Sequence, residues 1–175
     1  MATNVNIKFM DWFFTNPTKE IHFRELSREL KISTPWIHKL SRQNKETINQ
    51  KKIGNMIMLS SNINHQFIIK KRLRNIEKIY ESGIIEYIRE KLDTPECIVL
   101  FGSFSKGEDI EKSDIDIAIR SSVVKNLDLK KYEKILEREI QLIYINNDMS
   151  EELMNNIING IVLSGYLQWN HSKTS

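Results

Sequence analysis

Residues 97–119 constrain this chain more than any other stretch. An apolar run, Cys97–Phe101, ends at Gly102-Ser103; ten residues follow, Phe104–Ser113, and Asp114-Ile115-Asp116 then opens a second apolar run to Ile119. The pattern predicts a buried strand, a loop and a second buried strand. Side chains alternate on a strand, so Asp114 and Asp116 share one face while Ile115, Ile117 and Ile119 point into a core. Glycine lets backbone N–H groups come close to a phosphate, and the Ser103 hydroxyl adds a donor. Two carboxylates side by side repel, and Mg2+ would relieve that repulsion. Mg2+ is usually held by a few carboxylates together with substrate phosphates.

The flanking sequence predicts a small α/β domain around this pair. Ile84–Leu92 reads as a helix that ends at Asp93-Thr94-Pro95. Leu127–Leu136 reads as a helix and Ile140–Ile145 as a third strand. Ser150 caps a last helix with Leu153, Ile157, Ile158 and Ile161 apolar. Upstream lies a long basic helix whose apolar stripe is Ile69, Leu73, Ile76 and Tyr80, ringed by Lys70, Lys71, Arg72 and Arg74. Gly83 breaks it.

The first sixty residues have a different rhythm. Val5, Phe9, Trp12 and Phe13 form one helical face, and Asn16-Pro17 stops it. Ile21-His22-Phe23 is short and extended, and Arg24–Lys31 is a second helix. Ser33 and Pro35 start a third helix that runs through Leu40 towards Lys45. Ile48–Ile53, Gly54-Asn55 and Met56–Ser60 read as a hairpin. This is the order of a winged helix-turn-helix. The expected domains are 1–62, a connector helix 63–83, and 84–175.

Charge supports two modules. Residues 1–93 carry +7 and residues 94–175 carry −4, within a net charge of +3. One cysteine excludes a disulfide framework and a cysteine-based zinc site, and Cys97 is expected to be an inert buried thiol. His22, His38, His65 and His171 have no metal spacing. There is no P-loop and no G-x-G-x-x-G run. The apolar runs are too short to span a bilayer, and the first residues lack a signal-peptide pattern, so the expectation is a cytoplasmic protein without membrane contact.

The stretch from Gly102 to Asp116 resembles the polymerase-β-like nucleotidyltransferase superfamily, whose signature is G-S-x10-D-x-D. The run Gly102, Ser103, Phe104, Ser105, Lys106, Gly107, followed by Ser113-Asp114, is closest to its minimal archaeal and bacterial branch. The layout of about residues 84–167 follows that resemblance. It implies that Asp114 and Asp116 bind Mg2+, and that Gly102 and Ser103, with Lys106, grip the triphosphate of an NTP such as ATP. It also implies a third carboxylate on a later strand. The matching run is Ile140-Gln141-Leu142-Ile143, which puts Gln141 there. An amide oxygen is a weaker ligand than a carboxylate and is no base. Glu139, two residues earlier on the same strand face, is the candidate substitute.

The first module resembles archaeal winged helix-turn-helix domains, several of which precede minimal nucleotidyltransferase domains. In that arrangement the third helix reads the groove of duplex DNA and the hairpin touches backbone. Trp36, Ile37 and Leu40 would face the core. Thr34, His38, Lys39, Arg42 and Lys45 would face outward, with Lys51 and Lys52 on the wing.

The expected fold is therefore α/β (α+β), with a winged helix-turn-helix joined by a long helix to a nucleotidyltransferase domain holding a mixed sheet. Two functions compete. One is Mg-dependent transfer of NMP from an NTP to a hydroxyl, on a small molecule, a protein acceptor or a nucleic acid. The other is DNA-binding regulation, antitoxin-like, with a nucleotidyltransferase domain that senses or scaffolds. A homodimer is a further expected partner state.

Overall fold

The computed structural model describes residues 2–168. The chain divides into two compact units, Met1–Arg74 and Asn75–Ser175.

The first unit opens with α1, Ala2–Thr15, followed by β1, Glu20–His22; α2, Phe23–Leu30; α3, Thr34–Gln43; β2, Ile48–Ile53; and β3, Met56–Ser61. The strands form an antiparallel sheet in the order β1-β3-β2. Phe9, Phe13, Leu26, Ile37, Leu40, Ile48 and Leu59 bury themselves between the helices and this sheet. The Phe9 and Phe13 rings meet edge to face, as do those of Trp12 and Phe13.

Helix α3 departs from expectation at Trp36. Its buried face is Ile37, Leu40 and Ser41, and Trp36 is 41% exposed. The buried arc is centred on Ile37, between Leu40 and Ser41, and Trp36 lies about 100° from Ile37 at the margin of that arc.

Helix α4, His65–Ser82, contains the boundary between the units. Its apolar periodicity is as expected, but the buried face is not. Phe67 and Ile79 are buried, whereas Leu73 is 63% exposed and Ile69 and Tyr80 are exposed beside it.

The second unit continues with α5, Ile84–Lys91; β4, Cys97–Phe101; α6, Gly102–Lys106; β5, Ile115–Arg120; α7, Lys130–Leu136; β6, Ile140–Tyr144; α8, Glu151–Ile158; and β7, Ile161–Gly165. The sheet is mixed, in the order β6-β5-β4-β7, with β5 and β6 parallel and the other pairs antiparallel. Ile98, Leu100, Ile115, Ile117 and Ile119 face a large core shared with α5 and α7. Cys97, Val99, Phe101 and Ala118 face the opposite side, where Ile157 of α8 covers them. Ser150 caps α8 as expected, its hydroxyl accepting the Leu153 N–H at 3.2 Å.

Three local readings differ. The stretch after β4 begins with a one-turn helix instead of running as open loop. Helix α7 starts at Lys130, three residues later than expected. Ile161 belongs to a seventh strand and not to the last helix. Among the described residues no helix is long and apolar enough to cross a membrane.

Candidate functional site

The glycine-serine turn is built on the end of β4. Phe101 is the register partner of Asp116 on β5, so Gly102 emerges beside that carboxylate. Gly102 has φ +71°, and a Cβ added there would collide with the Asp116 carboxylate. Both facts demand glycine. Helix α6 then makes a single turn and is closed by Gly107 at φ +77°. The Gly107 N–H donates to Phe104 O at 3.3 Å and the Glu108 N–H to Ser103 O at 3.0 Å. This is the paired closure of a Schellman motif, and it accounts for the basic-glycine step Lys106-Gly107. The Ser105 hydroxyl donates to Gly102 O at 2.8 Å from inside the turn.

A second turn delivers the aspartates. The Ile110 N–H donates to Ser113 Oγ at 2.9 Å, and the Ser113 N–H donates to Ile110 O at 3.0 Å. Asp114 follows at once, exposed, and Asp116 lies two residues on, half-buried. Gly102 and Ser103 are half-buried and Lys106 is exposed.

Strand β6 completes the edge. The Ile115 N–H donates to Glu139 O at 2.9 Å, and Asp116 is the register partner of Gln141. The alternation puts Asp114, Asp116 and Gln141 on one face, at the ends of adjacent strands. Glu139 directly precedes β6 and is exposed. It lines a cavity of about 340 Å³ together with Ser113, Asp114 and Arg138. Among the described residues no three His, Cys, Asp or Glu side chains gather into a metal-binding group.

The electrostatics at Asp116 are unfavourable in a specific way. Its carboxyl is raised from the ordinary value of 3.8, first by burial and second by the charge of Asp114. Among the described residues neither carboxylate has a salt-bridge partner. Two hard oxygen donors side by side fit a divalent ion of the Mg2+ type. Cys97, buried on the same sheet face, has its thiol pushed up by burial, as an inert core thiol should.

In the first unit the expected outward residues separate into groups. His38, Lys39 and Arg42 come together around a shallow depression of about 460 Å³ on α3. His38 is half-buried and stacks on Phe23 at 4.1 Å, while the Lys39 ammonium lies 4.6 Å over the Trp36 ring. Thr34 is half-buried and donates to Ser27 Oγ at 3.3 Å. Lys45 is exposed in the turn after α3. Lys51 and Lys52 are exposed on β2, but as consecutive strand residues they leave opposite faces of the hairpin.

The periodic reading missed a buried polar cluster behind the glycine-serine turn. It consists of Asn75, Asp109 and Arg138, each set in a run rich in charged residues. Nothing in their spacing marks them as neighbours.

No curated protein and no solved structure matches the chain. One family model does, described as Polymerase beta, Nucleotidyltransferase, over residues 82–166. That range runs from the end of α4 through β7 and contains the whole glycine-serine and aspartate construction. Residues 82–166 are therefore similar to a polymerase-β-type nucleotidyltransferase domain, over somewhat less than half of the chain.

Proposed function

We propose that the second unit binds a metal–NTP complex and transfers its nucleoside monophosphate to a hydroxyl acceptor. The observation that supports this most is the packing of Gly102 directly onto Asp116, which sets the glycine-serine turn beside a carboxylate pair. Asp114 and Asp116 would hold the divalent ion, which when bound supplies charge neutralisation for the triphosphate and the leaving pyrophosphate. Ser103 and the backbone N–H groups around Gly102 orient the phosphates, and exposed Lys106 adds positive charge at the rim. Glu139, which shares a cavity with Asp114, would take the acceptor proton. Transfer would break the bond from the α-phosphorus to the bridging oxygen and form one to the acceptor oxygen. The test is incubation with each labelled NTP and Mg2+, alone and with cell extract, followed by a search for labelled small molecule, protein or nucleic acid. ATP is the first nucleotide to try. Absence of both transfer and Mg·NTP binding would defeat the reading.

A second activity is supported in the first unit. Its order of helices and hairpin is that of a winged helix-turn-helix, and α3 gathers His38, Lys39 and Arg42 on its outer face. Lys39 and Arg42 on an exposed helix face suit the phosphates and groove edges of duplex DNA. We read the unit as a DNA-binding module, with Lys51 and Lys52 as hairpin contacts. Gln141 at the third position favours a variant in which the second unit only senses nucleotide and the chain acts as a regulator. Gel shifts of the full chain on duplex DNA at two salt concentrations test the module. No binding at low salt would leave it a docking or dimerisation domain.

A further inference from the structure

Behind the glycine-serine turn lies a group of polar side chains that the chemistry above does not use. Asn75 on α4 is 4% exposed, and Asp109, in the stretch between α6 and β5, is 2% exposed. The Asn75 amide donates to Phe104 O at 3.0 Å and to Asp109 Oδ1 at 2.8 Å. The Arg138 guanidinium, itself almost fully buried, lies 3.9 Å from Asp109 Oδ2. Two segments thus converge on one amide, the single turn of α6 and the stretch leading to the aspartates, and Asp109 links them to a third, the residue that precedes Glu139.

Burying an amide, a carboxylate and a guanidinium costs more desolvation than packing apolar side chains of the same volume. Stability alone does not call for such a cluster. What it does supply is geometry. Phe104 O already accepts the Gly107 N–H where the one-turn helix closes, and Asn75 gives it a second partner on α4 that ties the turn to a fixed point. The same amide holds Asp109 and so fixes the spacing between α6 and the turn at Ile110–Ser113. The aspartates do not need this tie, because β5 is held on both sides by β4 and β6.

We propose that Asn75, acting through Phe104 and Asp109, is a positioning residue of the nucleotide site, with Arg138 closing the cluster. It holds the phosphate-gripping turn at a set distance from Asp114 and Asp116. Metal alone needs only the aspartates; a metal-bound triphosphate needs aspartates and turn together. This rests on the nucleotide-binding reading above.

The experiment uses the full-length chain and two probes: Mn2+ alone, followed by the electron-spin resonance of the free ion, and Mg·ATP, followed by calorimetry. Asn75→Ala should leave Mn2+ affinity within about twofold and weaken Mg·ATP about tenfold or more, the scale of losing a supporting partner. Asp109→Asn, which keeps the shape and the acceptor for Asn75, should give the same split in milder form. It decides the matter should Asn75→Ala fail to fold. Unchanged Mg·ATP affinity in a folded variant overturns the proposal. A parallel loss of both probes also overturns it, because that is what general loosening produces. A parent that binds Mn2+ but not Mg·ATP removes the nucleotide reading itself, and this inference with it.

Discussion

Gln141 stands directly beside Asp116, its register partner in the parallel β5–β6 ladder, and the two side chains leave the same face of the sheet. The third carboxylate implied by the family resemblance would occupy this place. An amide there can offer an oxygen but cannot accept a proton.

Replacing Gln141 by Asp should therefore raise nucleotidyl transfer, or create it, by about 10²-fold or more, the lower range for a positioned base. Glu139→Ala should abolish whatever transfer the parent performs. Incorporation of labelled NTP by the parent and both variants checks the pair of statements. An unchanged rate in Glu139→Ala would exclude Glu139 as the substitute.

Gly102→Ala should be harmful twice over. The left-handed backbone at φ +71° costs about 1–2 kcal/mol for a residue with a Cβ. The added atom also displaces the Asp116 carboxylate. Thermal unfolding should show the loss of stability, and Mg·ATP binding should fall below detection. Ser103→Ala, which adds no atom and keeps the backbone, should weaken nucleotide binding without lowering the melting temperature.

Asp116→Asn should stabilise the metal-free chain at neutral pH. A carboxyl raised above its unfolded value destabilises the fold once it is ionised. That cost is absent below the ordinary value of 3.8, grows as the pH climbs between the unfolded and folded values, and is complete above the folded one. The gain from Asn should therefore be full at pH 7 and vanish in acid. Adding Mg2+ at pH 7 should stabilise the parent and leave Asp116→Asn behind. Melting curves across pH, with and without metal, read out each statement.

Changing Lys39 and Arg42 together to alanine should cut duplex DNA binding while the first unit stays folded, since Ile37, Leu40 and Ser41 carry the buried face of α3. Loss of two phosphate contacts should lower the slope of log affinity against log salt by about 2. Anisotropy titrations across salt concentrations measure it. An unchanged slope would take these two cations out of the interface.

Much of the second unit was legible in the sequence, for reasons that can be named. Strands β4 and β5 are apolar runs bounded by a glycine turn and by paired aspartates, and both signals are local. The helix-hairpin order of the first unit was legible for the same reason. Strand β7 was hidden because Ile161 continues the apolar pattern of α8, and only Asn159-Gly160 hints that the helix has ended. Helix α6 is one turn long, too short for periodicity to register. On α4 two apolar lines exist, and sequence spacing cannot say that Phe67 and Ile79 are buried while Leu73 stays exposed. The Asn75–Asp109–Arg138 cluster depends on three distant segments meeting, which no local pattern encodes. The neighbourhood of Gln141 and Asp116 is likewise a property of strand pairing.

The exposed position of Gln141 on an edge strand has an evolutionary consequence. Nothing in the packing of the sheet depends on its side chain, so a lineage can exchange amide for acid there without disturbing the fold. A single-base change converts a glutamine codon to one for glutamate. If position 141 governs transfer as proposed, a chain with an amide there and one with an acid would lie a single base apart, and the exchange would leave the sheet intact.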